Sequence, residues 1–303
     1  MPARQPLAVP VLDARRTAEL LPMAPLIAAV GSAFATAAPA PARLAVDGPR
    51  SDWLVMPGAD DAGLVCKVIC VGGRAIEGIV IALDNDGAVA AIADGAVLTA
   101  RRTAAVSAAA TDLLARHDAG VLALFGAGAL ARPHVEALAS VRPLREVRVV
   151  SRDGRSAAAL ATALRADGVS ARAAVDARDA LDGADLVTTI TTASTPLFDD
   201  ALLEPGAHVN AVGTHHPDRR ELPGATIARA RLAIELLETG ADAGEFVLAR
   251  AEGLLPDDAP LAELRDPAAV RALRTSRDDV TVFKSVGHVA ADIAAMRLLI
   301  SRL

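Results

Sequence analysis

The chain of 303 residues has no tyrosine, one tryptophan and two cysteines, and of its 31 basic side chains only Lys67 and Lys284 are lysine. Each shortage excludes something. Without tyrosine there can be no Tyr/Lys acid–base pair of the kind short-chain dehydrogenases use. No group of Cys and His has zinc-ligand spacing, so no metal site is expected. Cys66 and Cys70 lie four apart on one expected strand, on the same face. A disulfide within a single extended strand has poor geometry, so both are read as buried free thiols. No apolar run reaches the roughly 18 residues a membrane span needs. Residues 1–10 carry Arg4 but no long apolar core, so no leader is expected and the location is taken as cytoplasmic. A net charge of −6 without a long basic run makes nucleic acid a poor partner.

What is there is the composition of a globular protein: 52% of residues are hydrophobic and 22% charged. The length suits two domains. Residues 13–35 read as helices interrupted by Pro22 and Pro25. Short strands follow at 43–46, 53–56, 63–71 and 78–83. Asp84-Asn85-Asp86-Gly87 reads as a hairpin turn, with 89–93 as the return strand. A long helix over 97–114 completes a segment of antiparallel β plus helix.

The pattern changes at Ala119-Gly120. Strands are expected at 121–125, 147–150, 169–174, 186–190, 208–212, 232–234 and 280–283, with helices running to about Ser140 and over 156–166. Alternation of this kind predicts a doubly wound parallel sheet. Residues 251–278 read as a polar surface excursion, and 288–303 as a terminal helix. The fold class is therefore α/β: a Rossmann domain over 116–287, plus a smaller α+β substrate and dimerisation domain from 1–115 and 288–303.

Gly126-Ala127-Gly128-Ala129-Leu130-Ala131 fits G-x-G-x-x-G/A where a strand ends and a helix begins, the setting in which that pattern points to a dinucleotide. Gly126 permits the tight turn, Gly128 lets backbone approach a pyrophosphate, and Ala131 allows close helix packing. At the end of the second strand stands Ser151-Arg152, where an NAD enzyme usually has a carboxylate for the ribose 2′-hydroxyl. A guanidinium suits a 2′-phosphate, so NADP(H) is preferred, and Asp153 one residue on keeps NAD(H) open. In the first segment Arg43, Lys67 and Arg102 supply three cations. Lys67 interrupts an apolar strand and must snorkel or meet an anion. Of the adjacent Arg101 and Arg102, one can face solvent while the other points elsewhere. Convergent cations in an acidic chain suggest a carboxylate pocket, and compact lysine charges do what arginine cannot.

The motifs occur in an order that resembles the ornithine cyclodeaminase/mu-crystallin family over about residues 10–303. They are Ala42-Arg43, Leu54-Val55-Met56-Pro57, Lys67, Asp94-Gly95, Thr99 to Ala105, Gly126-Ala127-Gly128, Asn210-Ala211-Val212-Gly213, Arg220-Glu221-Leu222, and Val282 to Gly287 with Asp292. The resemblance implies a Rossmann domain inserted in a dimerisation and substrate domain. It implies a substrate carboxylate on Arg43, Lys67 and Arg102, with Lys67 also catalytic. It places a cofactor at Arg102, Thr103, the loop Gly126, Ala127, Gly128, Ala129 and Leu130, then Ser151, Arg152, Thr191, Thr192, Val212 and Ser285. Two departures stand out. His215 occupies the place where cyclodeaminases have aspartate, and Leu130 the place of a glutamine. Loss of the carboxylate favours a ketimine reductase, whose substrate can arrive as a protonated cyclic iminium, with His215 as the remaining catalytic candidate. The expectation is an NAD(P)H-dependent homodimer reducing the C=N bond of a pyrroline-2-carboxylate or piperideine-2-carboxylate. The alternatives are an ornithine or lysine cyclodeaminase, an L-alanine-type dehydrogenase, or a crystallin-like protein that binds NADPH without catalysis.

Overall fold

The computed structural model describes residues 9–38, 40–48, 52–71 and 77–303; the segment on which the expectation of no leader rests lies mostly in residues 1–8, outside them. The chain begins with β1 (Val11–Leu12), α1 (Ala14–Leu20), α2 (Met23–Ala35), β2 (Leu44–Val46), β3 (Asp52–Asp60), β4 (Gly63–Val71), β5 (Glu77–Leu83), β6 (Val89–Asp94) and α3 (Gly95–Leu114). It continues with β7 (Val121–Phe125), α4 (Ala131–Ala139), β8 (Glu146–Val150), α5 (Arg155–Ala166), β9 (Ala171–Ala173), α6 (Ala177–Leu181), β10 (Leu186–Thr189), β11 (His208–Ala211), α7 (Gly224–Arg229), β12 (Arg231–Ile234), α8 (Leu237–Gly240), α9 (Gly244–Ala251), β13 (Ala262–Glu263), α10 (Pro267–Ala272), β14 (Thr281–Lys284) and α11 (Val289–Ile300). Two units result: Met1–Ala33, Ala37–Arg102 and Val289–Leu303 form the first; Phe34–Thr36 and Thr103–His288 the second. The division falls between Arg102 and Thr103, inside α3, where the sequence suggested 115/116. Among the described residues no single helix is long and apolar enough to cross a membrane.

The first unit is built on a six-stranded sheet ordered β1-β6-β5-β4-β3-β2. Its strands are antiparallel except that β1 runs parallel to β6, so the sheet is mixed rather than purely antiparallel. Strand β4 shows why it folds this way: Val65, Lys67 and Ile69 are buried while Leu64, Cys66 and Val68 are exposed or half-buried, the period of two of a sheet covered on one side. Helix α11 provides cover, packing on β3 to β6. A Cβ on Gly58 of β3 would lie 2.7 Å from Val289 Cγ1, so this close approach needs glycine. Strand β3 runs past the expected Met56 and includes Pro57. It is tolerated because β2 pairs only with Trp53, Leu54 and Val55, so beyond them β3 is an edge and needs no donor there. The β5–β6 turn is held by Asp84, whose carboxylate accepts from the Asp86 and Ala88 N–H groups, with Gly87 at φ 80°. Cys66 and Cys70 are free, as expected, but half-buried on the outer face rather than buried.

The second unit is an eight-stranded, all-parallel sheet ordered β13-β12-β14-β11-β10-β7-β8-β9. The chain leaves β7 for β8 and β9 on one side and later enters β10 and β11 on the other. This reversal makes a crevice outside the carboxyl ends of β7 and β10. Residues 251–278 are not a plain surface excursion. They hold the end of α9, then β13, which pairs with β12, and α10. Two-residue strands show no alternation, which is why β13 and β1 escape a periodicity reading. The strand expected over 169–174 shrinks to β9.

Candidate functional site

In the first unit Lys67 projects from the covered face of β4 into full burial. There Nζ donates to Asp292 Oδ1 at 3.1 Å and Oδ2 at 2.9 Å. Arg102, near the middle of α3 and 4% exposed, brings Nε to 3.0 Å from Asp292 Oδ1. Among the described residues neither Nε nor Nη1 of Arg102 makes a hydrogen bond, so the contact of Nε with Asp292 is an ion pair and Nη1 is a buried donor without an acceptor. A buried guanidinium donor without an acceptor is costly, and it fits an anion that a ligand would bring. Lys67 has its pKa lowered to about 8, first by burial, then by the Arg102 charge, with Asp292 opposing and Arg43 adding a smaller push down. One buried carboxylate, Asp292, thus holds two buried cations, Lys67 and Arg102, and the Arg43 charge is felt at Lys67. Of the three cations singled out in the sequence, the structure brings Lys67 and Arg102 to one carboxylate. The role of Asp292 was not legible there, although an aspartate in the otherwise apolar first turns of α11 is the signal that could have found it. Arg101 does not face freely into solvent: its Nε donates to the Leu21 carbonyl at 2.7 Å.

In the second unit β7 ends at Gly126, whose φ of 113° only glycine takes readily. Its N–H donates to the Val150 carbonyl, and a Cβ there would meet Ile190 O at 2.8 Å. At Gly128 a Cβ would meet nothing within 4 Å. The protein's own packing does not require glycine there, whereas an approaching group would. Ala127 and Leu130 pack against the adjoining core, Ala129 is exposed, and α4 begins at Ala131 with no side-chain cap. The first turn thus offers N–H groups and positive potential to phosphate. These features fit a dinucleotide. Thr103 is buried on α3. Ser151 Oγ accepts from the Ala157 N–H at 2.9 Å. Asp153 accepts from the Ser156 N–H, the bond that chiefly lowers its pKa, so this carboxylate is engaged in starting α5. Arg152 beside it is exposed.

Beyond β10, Thr191 is fixed by Glu221: its N–H and hydroxyl both donate to Oε1 at 2.7 Å. Thr189 Oγ1 and the Gly213 N–H donate to Oε2 at 2.8 and 2.7 Å. Burial raises the Glu221 pKa, opposed by Lys284 and these donors. Thr192 is exposed and Val212 half-buried. His215 stacks on His216 with ring centroids 4.5 Å apart. The Ser285 hydroxyl donates to buried Glu235 at 2.7 Å, and Glu235 also accepts from the Val286 and Gly287 N–H groups. The buried carboxylates Glu221, Glu235 and Glu245 were not foreseen as parts of this edge. Only Glu221 lay in a noted motif.

The ornithine cyclodeaminase/mu-crystallin family profile matches residues 21–303. Over 173 residues the chain is 35% identical to Delta(1)-pyrroline-2-carboxylate reductase of Colwellia psychrerythraea, covering 56% of this chain and 55% of that one. Over 171 residues it is 34% identical to ketimine reductase mu-crystallin of Macropus fuliginosus, covering 56% and 51%. The matched region spans about half the length of these curated relatives. In solved structures it is similar to Thermococcus litoralis Delta(1)-pyrroline-2-carboxylate reductase in complex with NADH and L-proline, with a TM-score of 0.91, 27% identity and 97% of both chains covered.

Proposed function

The chain belongs to the ornithine cyclodeaminase/mu-crystallin family, and from that premise we propose that it is an NAD(P)H-dependent reductase of small cyclic ketimine carboxylates of the pyrroline-2-carboxylate or piperideine-2-carboxylate type. The observation that carries the reading is the buried Lys67–Asp292–Arg102 cluster with the unpartnered Nη1 of Arg102. A substrate carboxylate would satisfy that donor and share the charges of Lys67 and Arg43. The names of the relatives from Colwellia psychrerythraea and Thermococcus litoralis support the substrate class.

The nicotinamide, when bound, supplies a hydride to the imine carbon. The chain's residues do the rest. Arg102 and Lys67 orient the carboxylate and so the imine beside it, and Asp292 holds both cations in place when no substrate is there. Gly126 to Ala131 would hold the pyrophosphate, and Arg152 the 2′-phosphate of NADPH, since Asp153 is occupied with the start of α5. His215 is the group assigned to position or protonate the ring nitrogen. The outer face of the first unit's sheet exposes Leu44, Val46, Trp53, Leu64 and Ile79, an apolar surface fit for a second copy of the chain. On this reading the first unit would hold the substrate and the second the cofactor.

The test follows NADPH absorbance with purified protein against cyclic ketimine acids, and ammonia release from ornithine. Ketimine-dependent NADPH loss is expected. A cofactor-and-product complex with the nicotinamide far from Arg43, Lys67 and Arg102 would overturn the reading.

A further inference from the structure

Lys284 is the second of the chain's two lysines, and like the first it is fully buried. It ends β14 in register with Ala211 of β11. Its Nζ donates to the Thr214 carbonyl at 2.6 Å and lies 3.0 Å from Glu245 Oε2. Glu245 Oε1 accepts from the Glu221 N–H at 3.1 Å, and the Lys284 charge also acts on the Glu221 carboxylate. Glu221 accepts from the Gly213 N–H. So the N–H of residue 213 and the carbonyl of residue 214 are both held by buried ionic side chains, immediately before His215. Gly244 brings Glu245 into range, since a Cβ there would overlap the Arg219 carbonyl oxygen. Burying a lysine and two glutamates is expensive, and apolar residues of similar size would often stabilise a fold as well. What such a set specifies is geometry.

We propose that Lys284, with Glu221 and Glu245, is a positioning set that fixes the Gly213–His215 turn and the Thr191 backbone at the cofactor edge of the parallel sheet. Its catalytic consequence rests on the reductase reading; its structural consequence does not. Lys284→Met strands Glu245 as a buried unpaired charge, so its loss of stability proves little. The double variant Lys284→Met/Glu245→Gln removes both charges. It is expected to regain the wild-type melting midpoint while ketimine turnover stays about 100-fold down, the scale of a misplaced group, with the ketimine KM little changed. In cofactor-free protein, amide hydrogen exchange over 213–215 is expected to be at least about tenfold faster than in wild type, with β11 and β14 still protected. Should the double variant fail to fold, Glu221→Gln decides: one of its two acceptor oxygens becomes a donor, and the Gly213 or Thr191 amide must exchange faster. Full recovery of turnover in the double variant, or exchange at these amides as slow as in wild type, overturns the proposal. If the wild type reduces no ketimine, the reductase reading fails and the exchange measurement still decides the positioning role.

Discussion

Replacing Lys67 by methionine removes a buried charge and keeps most of the side-chain volume. Two opposite expectations can be separated by magnitude. If Lys67 were mainly a structural ion-pair partner, its loss would leave Asp292 bare and cost about 3–5 kcal/mol. Asp292 keeps Arg102, however, with Nε 3.0 Å away. The substitution also relieves the burial and the Arg102 repulsion that lower the Lys67 pKa to about 8. Asp292 loses both hydrogen bonds from Lys67 but keeps the Arg102 charge, so the loss of stability should stay below the about 3–5 kcal/mol of a bare buried charge. Substrate binding should suffer more: a hydrogen bond to a charged group contributes about 1.5–3 kcal/mol, and each 1.4 kcal/mol is about tenfold. The expected outcome is a kcat/KM for the ketimine acid reduced by about 10- to 150-fold, with NADPH affinity within about twofold of wild type. Steady-state NADPH absorbance, a fluorescence titration of NADPH and a thermal melt measure the three quantities. An unchanged kcat/KM, or a collapse of the fold with no selective loss of activity, would refute the assignment of Lys67 to the carboxylate.

Asp292→Asn should behave differently, because it leaves Lys67 and Arg102 buried without an anion; a loss of about 3–5 kcal/mol is expected in denaturant unfolding. The protonated Lys67 that an anion needs is the form below its pKa, so kcat/KM should fall as pH rises through about 8, and a flat profile between pH 7 and 9 would count against it. His134 and His208 are buried with pKa values lowered to about 4 and about 3, chiefly by burial. A histidine held neutral in the folded state contributes stability present above its unfolded value of about 6.5 and lost as pH falls towards the folded value. Each should therefore cost about 2 kcal/mol by pH 5 in equilibrium unfolding, and His134→Gln should flatten that slope. Arg152→Ala should weaken NADPH binding more than NADH binding; equal losses would remove Arg152 from the 2′-phosphate.

The sequence exposed whatever has a period or a fixed chemical demand. Strand β4 showed its alternation and β7 its unbroken apolar run, and Gly126 and Gly128 stood where strand gives way to helix. Lys67 was legible because a cation in an apolar strand must find a partner. The partner was not, because Asp292 is 225 residues away and no local rule pairs them. The same limit hid the carboxylates behind Thr191 and Ser285. Glu221 and Glu235 look like surface acids in a linear reading and become buried acceptors only once neighbouring strands bring backbone N–H groups to them. Pro57 made the strand seem to stop, since the reading could not tell that β2 was short enough to leave an edge.

Because both lysines are fully buried, neither side chain should be open to an acylating reagent in the folded protein. Covalent mass gain at Lys67 or Lys284 would then count opening events one molecule at a time: a built-in clock for how often each of the two units breathes.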